Sequence, residues 1–159
     1  MLLEQAVRAS AAGPAPSVLL LEWLDPVFDA GHWVPGQIEA AGCRVARLGD
    51  VRTKSTERDW SAVVAADPDC VLVGCCGFDA ARNQADALAL LSAGRGEAAD
   101  AFRSLRAVRT GNIWAVDANT YFARPSPSLA PGAALAARCA YADQPAVRTR
   151  YFSSVFIQK

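Results

Sequence analysis

The residues most capable of chemistry lie in short segments that follow apolar runs, and the first of these segments reads EWLDPVFDAGHW. Large rings in such a segment form a wall on which a ligand stacks, and neighbouring polar groups fix its orientation. We therefore predict ligand-binding roles for Trp23, Asp25, Phe28, His32 and Trp33. The alternatives are that Trp23 and Trp33 pack the segment onto the protein core and that His32 has a structural role.

The second segment, GCCGFD, offers both a nucleophile and an apolar ring. A cysteine near a helix N-terminus has a lowered pKa, so Cys76 and His32 are candidates for a small cysteine-dependent enzyme. However, the segment contains no CxxC motif and none of the local signatures of cysteine hydrolases. We therefore predict that Phe78 is a binding contact and that the chain has no catalytic residue, and the enzyme is kept as an alternative.

The third segment, DANTYFARPSPSL, combines hydrogen-bonding groups with a ring and a cation. Asn119 and Tyr121 supply donors and acceptors, and Arg124 presents a planar fork of donors that suits amide, carboxylate or phosphate oxygens. The prolines stiffen the segment and lower the cost of ordering it on binding. The alternative for Arg124 is a surface ion pair with a nearby acid.

Composition excludes several other classes of function. Lys plus Arg and Asp plus Glu number 16 each, so no net field attracts nucleic acid. The apolar runs are far shorter than the roughly 20 residues of a membrane-spanning helix, which argues against direct membrane insertion. A single histidine without a carboxylate cluster is a weak metal signal, and no phosphate-binding glycine motif is present, so we predict no metal site and no cofactor.

The cysteines and the N-terminus bear on the compartment. Five cysteines, an odd number placed mostly in apolar runs, are typical of small buried hydrophobes rather than of a disulfide framework. The first residues have no basic region of the kind that begins a secretory signal. Both features favour an intracellular chain, and the compartment stays open.

The elements that must position these segments alternate between apolar strands and helices. Strands without polar alternation, separated by helices, predict a three-layer α/β/α fold with a mostly parallel sheet of about four strands. In such sheets ligands bind beyond the carboxyl ends of the strands, where all three segments lie. The predicted strands are Ser17–Leu24, Cys43–Leu48, Cys70–Cys75 and Asn112–Asp117; the predicted helices are Leu2–Ala11, Val34–Ala41, Thr56–Ala66, Asp79–Leu91, Ala98–Val108 and Gly132–Tyr141.

Three stretches in the same order resemble the C-terminal lobe of the class III periplasmic binding proteins, the cobalamin and Fe³⁺-siderophore type, and are closest to the cobalamin-binding branch. They are VLLLEWLDPVFDAGHWVPGQIEAAG, WSAVVAADPDCVLVGCCGFD and SLRAVRTGNIWAVDANTYFARPSPSL. The resemblance implies that residues 1–13 end an interlobe helix, that 14–142 form the ligand-binding lobe and that 143–159 are a tail. It also implies that the N-terminal lobe is missing from this chain.

The resemblance implies non-catalytic binding of a large, cobalamin-like or other corrinoid-like ring for an ABC-type uptake system. Trp23 and Tyr121 would pack on the corrin, and Arg124 would reach its amide side chains. The implied partners are the small-molecule ligand, an ABC transporter permease and the missing lobe, and the family is usually periplasmic. The alternative is a remnant lobe that serves only as an interaction domain.

Overall fold

The core of the protein is one mixed sheet, seen in a computed structural model that describes residues 13–49 and 54–142. The predicted helix Leu2–Ala11 and the predicted tail 143–159 lie outside the described residues. The strands are β1 Ser17–Leu24, β2 Val27–Asp29, β3 Arg44–Val45, β4 Thr56–Glu57, β5 Cys70–Val73 and β6 Ile113–Ala115. They are arranged in the order β4-β2-β1-β5-β6, and β3 also pairs with β1.

The centre of the sheet is parallel, as the sequence predicts. β5 pairs in parallel with both β1 and β6, and β3 pairs in parallel with the start of β1. All four residues of β5 are fully buried. Strands covered on both faces lose the polar alternation of a half-exposed strand, which explains their continuous apolar sequences.

Helices cover both faces of the sheet, which confirms the three-layer α/β/α fold class. Alternate residues of β1 face opposite layers: Val18 and Leu20 pack in one apolar cluster and Leu19 and Leu21 in the other. The helices are α1 Val34–Ala40, α2 Trp60–Ala66, α3 Ala80–Ser92, α4 Glu97–Ser104, α5 Arg106–Arg109, α6 Ala118–Tyr121 and α7 Leu129–Ala140. α1 and α7 contribute to the cluster around Leu20, and α2, α3 and α4 to the cluster around Leu19.

One side of the sheet is antiparallel, where the sequence predicted only a loop. β1 turns at Asp25-Pro26 and returns as β2, with Trp23 opposite Phe28 and Leu24 opposite Val27. The sequence predicts a strand that ends at Leu24, whereas Asp25 and Pro26 form the two-residue turn of a hairpin. The pairing register shifts between Leu21 and Trp23. Glu22 therefore lies at an irregularity of the strand, which changes the direction of the neighbouring side chains.

The prediction that a helix begins at Thr56 is wrong, because Thr56 lies in β4 and pairs with Asp29 of β2. The Thr56 amide donates to the Asp29 carboxylate at 3.3 Å, and α2 starts only at Trp60, after the N-cap Asp59. The helix predicted over Ala98–Val108 is interrupted at Leu105, whose backbone is extended with ψ 135°. The final helix starts at Leu129, earlier than predicted, and α6 was not predicted.

The amino ends of the central strands are joined by one carboxylate, that of Asp69. It accepts hydrogen bonds from the Ser17 amide at 2.7 Å and the Ser17 hydroxyl at 2.8 Å. Arg106, at the start of α5, donates to the other oxygen of Asp69 at 2.7 Å and also to Asp67. This network fixes the end of the sheet opposite to the predicted ligand-binding segments.

Candidate ligand-binding site

A mainly apolar groove of about 390 Å³ lies at the carboxyl ends of β1 and β5. Its walls come from the hairpin, from the residue before β4 and from the segment after β5. This is the edge of a parallel sheet at which ligands bind. The groove is lined by Glu22, Trp23, Pro26, Phe28, Ser55 and Cys76.

Two of the predicted rings, Trp23 and Phe28, line this groove, and a third, Phe78, contacts Trp23. Trp23 and Phe28 are cross-strand partners on the hairpin, and the rings of Trp23 and Phe78 lie 5.4 Å apart at an angle of 39°. The Arg82 guanidinium lies 4.5 Å from the centre of the Phe78 ring, a cation–π contact that holds this ring in place. Because 37% of Trp23 is exposed, its indole is open to a stacking partner.

A polar group forms the base of the groove. The Ser55 hydroxyl donates to the Glu22 carboxylate and accepts a hydrogen bond from the Gly31 amide at 3.2 Å. Gly31 is needed here, because a Cβ atom would lie 2.2 Å from the Lys54 carbonyl carbon. The Glu22 carbonyl also accepts from the Cys76 amide at 3.2 Å, which ties the hairpin to the segment after β5.

Cys76 is exposed, and its surroundings oppose ionisation of the thiol. Burial raises the pKa of Cys76, and the negative charge of Glu22 raises it further. The positive charge of Arg124 lowers the pKa of Cys76, but the net direction is upward. The lowered pKa predicted for a catalytic cysteine is therefore wrong. The other cysteines, Cys43, Cys70, Cys75 and Cys139, are buried free thiols.

No residue of the third predicted segment lines the groove. Arg124 is exposed and close enough to Cys76 for its charge to act on the thiol, and within the described residues it forms no ion pair. Asn119 is exposed, and its amide donates to the Phe78 carbonyl at 3.2 Å. Tyr121 is half-buried and packs against the core under α1 and α7, so the structure does not bring its ring to the groove.

The remaining predicted residues lie outside the groove. Asp25 is exposed at the hairpin turn, and His32 is exposed with a left-handed φ of 55°. The Trp33 ring lies 5.6 Å from His32, is half-buried against the core, and donates through Nε1 to the Phe122 carbonyl at 2.7 Å. For Trp33 the structure thus favours the packing role.

Two loops of the site are joined by a buried amide side chain. Asn83 accepts a hydrogen bond from the Cys75 amide at 3.0 Å and donates to the Val116 carbonyl at 2.8 Å. It therefore links the end of β5 to the segment after β6. Asn83 is fully buried. If either loop shifted, one polar atom of the Asn83 side chain would lose its hydrogen-bond partner.

Sequence reasoning missed part of the site. Glu22 was considered only as a polar neighbour, Cys76 only as a nucleophile, and Ser55 and Arg82 not at all. Arg82 contacts Phe78 from the first turn of α3, but Phe78 lies outside that helix, so helical spacing does not predict the pair. Ser55 belongs to the antiparallel extension of the sheet, and its partner Glu22 is 33 residues away in the chain.

Across residues 13–49 and 54–142, no three His, Cys, Asp or Glu side chains are grouped so as to hold a metal ion. None of the helices in these two segments has the length and apolar character needed to cross a bilayer.

Comparisons with known proteins identify the fold. No family model and no curated protein matches the sequence. An ABC transporter substrate-binding protein of Listeria monocytogenes has a similar structure, with a TM-score of 0.71 at 15% identity over 89% of this chain and 53% of its own. A periplasmic heme-binding protein of Roseiflexus sp. RS-1 gives 0.61 at 21% identity, over 92% of this chain and 54% of its own.

The periplasmic vitamin B12-binding protein of Vibrio cholerae gives a TM-score of 0.60 at 15% identity, over 91% of this chain and 51% of its own. The chain thus spans about half the length of the solved structures it matches. It has the fold of a single lobe of the class III periplasmic solute-binding proteins. This confirms the resemblance at the level of the fold, whereas the similar structures include heme-, iron- and B12-binding proteins and single out no cobalamin branch.

Proposed function

We propose that this chain is a non-catalytic lobe that binds a large, flat ring ligand, a cobalamin or a related tetrapyrrole, for an ABC-type uptake system. The observation that carries the proposal is the aromatic wall at the carboxyl edge of the sheet. There the open face of Trp23 lies beside Phe28 and Phe78. Its partners in transport are the second lobe of the binding protein and a membrane permease.

Stacking supplies most of the affinity in this proposal. A base or ring stacked on an aromatic side chain is worth about 1–3 kcal/mol by alanine substitution. The polar groups at the base of the groove orient the ligand, and the buried supports behind them keep the site formed before binding. The raised pKa of Cys76, caused by burial and by Glu22, favours binding over thiolate catalysis.

The proposal is tested by isothermal titration of the purified chain with cyanocobalamin and, separately, with hemin. We expect saturable heat with at least one of the rings. Trp23→Ala should weaken binding about tenfold or more, because it removes one stacking contact. Leu88→Ala is the matched control, since Leu88 has a similar exposed fraction of 39% but lies on α3 outside the groove.

The absence of heat with either ring up to millimolar concentration contradicts the proposal. An equal loss of affinity in Trp23→Ala and Leu88→Ala contradicts the assignment of the groove. A second candidate function, an interaction domain, is favoured by the exposed indole of Trp23 beside the Phe78 ring. It predicts that the chain binds no ring ligand and associates with itself or another lobe through the aromatic wall, which analytical ultracentrifugation of Trp23→Ala measures.

A further inference from the structure

A second cavity lies where two strands share one edge of β1. β5 occupies the opposite edge, so β2 and β3 both pair with the remaining one, β3 at Ser17 and Val18 and β2 from Leu21 onward. The chain segments next to these two strands diverge around Leu20, and a cavity of about 160 Å³ lies between them. It has no lining residue in common with the aromatic groove.

Most of the wall of this cavity is apolar and comes from both the sheet and α1. Val18 and Leu20 of β1, Ile38 of α1 and Leu48 after β3 line it, and all four are buried. An apolar cavity of about 150 Å³ holds a molecule of the size of benzene. The cavity therefore has room for one compact apolar group.

The rest of the wall carries an excess of positive charge. Arg47, Lys54 and Arg58 line the cavity, and among its described lining residues Asp29 is the one acid. Arg58 neutralises Asp29, because its Nε donates to the Asp29 carboxylate at 3.0 Å and only 12% of the Arg58 side chain is exposed. Glu39 lies 4.0 Å from Arg47, but both side chains are more than half exposed, so this pair is weak.

Lys54 projects from backbone that is held in place. Its carbonyl carbon packs against Gly31, and the Gly31 amide donates to the hydroxyl of the adjacent Ser55. The Lys54 side chain is exposed, and within residues 13–49 and 54–142 its ammonium takes part in no ion pair. Lys54 and Arg47 therefore offer donors beside the apolar part of the wall.

We infer that the cavity between β2 and β3 is a second binding site, for a small carboxylate with a compact apolar body. The body fills the apolar part, and the carboxylate accepts charge-assisted hydrogen bonds from Lys54 and Arg47. An inorganic anion leaves the apolar wall uncovered, and a neutral ring leaves both cations without a counter-charge. The inference goes beyond the proposed function and does not depend on it, because the two sites have separate linings.

The experiment is a titration of the isotope-labelled chain with benzoate and with benzamide, followed by amide NMR shifts. We expect saturable shifts with benzoate at Ala30 and Ala46, which line the cavity and whose amides bond to β1. Benzamide has the same shape without the charge, and it should bind about tenfold more weakly or worse, the cost of lost charge-assisted hydrogen bonds. Lys54→Gln and Arg47→Gln should each weaken benzoate binding about tenfold for the same reason.

Arg95→Gln is the matched control, since Arg95 is an exposed cation between α3 and α4, outside the cavity. It should leave benzoate binding unchanged. The inference is overturned if benzamide or inorganic phosphate binds as tightly as benzoate, or if Lys54→Gln and Arg95→Gln have equal effects. It is also overturned if the Ala30 and Ala46 shifts do not saturate up to about 0.1 M benzoate. None of these results bears on the cyanocobalamin and hemin titrations, which test the groove.

Discussion

At the scale of single residues, the ionisation of Cys76 bears on whether the groove only binds a ligand or also supports cysteine catalysis. A reactive cysteine needs nearby positive charge or a helix N-terminus to hold its thiolate. Here desolvation and the Glu22 carboxylate raise the pKa of Cys76, and Arg124 only partly compensates. This balance of charges and burial opposes formation of the thiolate.

Alkylation of Cys76 by iodoacetamide measures this pKa. The rate should rise with pH around a midpoint above the ordinary cysteine value of about 8.5, because only the thiolate reacts. Glu22→Gln should move the midpoint to lower pH, and Arg124→Gln should move it to higher pH. Cys76→Ser gives the background from the buried cysteines. A midpoint at or below the ordinary value would restore the enzyme hypothesis.

At the scale of elements, α1 and α7 are held together by close packing around one glutamine. The Gln37 amide donates to the Tyr121 carbonyl at 3.0 Å and to the Leu129 carbonyl at 2.9 Å. Gly132 of α7 allows this approach, because a Cβ atom there would lie 2.4 Å from Nε2 of Gln37. The contact positions the segment between α6 and α7 that carries Arg124.

Gly132→Ala should therefore lower the free energy of unfolding by about 1–3 kcal/mol, as expected for overpacking at a tight contact. Gly36→Ala in α1 is the matched control, since a Cβ atom at Gly36 has no neighbour within 4 Å. That change should raise the free energy of unfolding by up to about 1 kcal/mol through helix propensity. Urea denaturation followed by tryptophan fluorescence measures both, and equal effects would contradict the packing argument.

At the scale of the whole molecule, the end of the sheet opposite the groove is stabilised by ionised groups. Partial burial by itself raises the pKa of Asp69, but hydrogen bonds from Ser17 and Arg106 outweigh it and lower the pKa overall. The pKa of Asp67 is lowered first by the hydrogen bond from the Arg106 amide. A folded-state pKa below the unfolded one gives stability that is present above the unfolded value and lost as pH falls through the folded value.

The free energy of unfolding should therefore decline as pH falls below about 4, the ordinary aspartate range. Asp69→Asn should be less stable at neutral pH and should lose less stability on acidification. Urea titrations between neutral pH and about pH 3 measure this slope. Asp59→Asn controls for the loss of a carboxylate as such, since Asp59 makes no side-chain hydrogen bond to α2. An unchanged acid slope in Asp69→Asn would contradict the role of this network.

The features that depend on local sequence pattern could be predicted from the sequence. The features that depend on pairing between distant segments could not. The apolar runs of β1 and β5 predicted a parallel core, and the rings after them predicted Trp23, Phe28 and Phe78, which the structure brings together. The hairpin was missed because Asp25-Pro26 is equally suited to end a strand and to turn one. Ser55 was missed because β4 is a strand only through its pairing with β2.

The buried amide of Asn83 limits how far the site can adapt to ligands of different size. It joins the end of β5 to the segment after β6, and the Asn119 amide joins the same two loops at the Phe78 carbonyl. The backbone at Phe78 and the start of the segment after β6 therefore form one rigid unit. A ligand must fit the aromatic wall as it stands, and a smaller aromatic molecule covers only part of it.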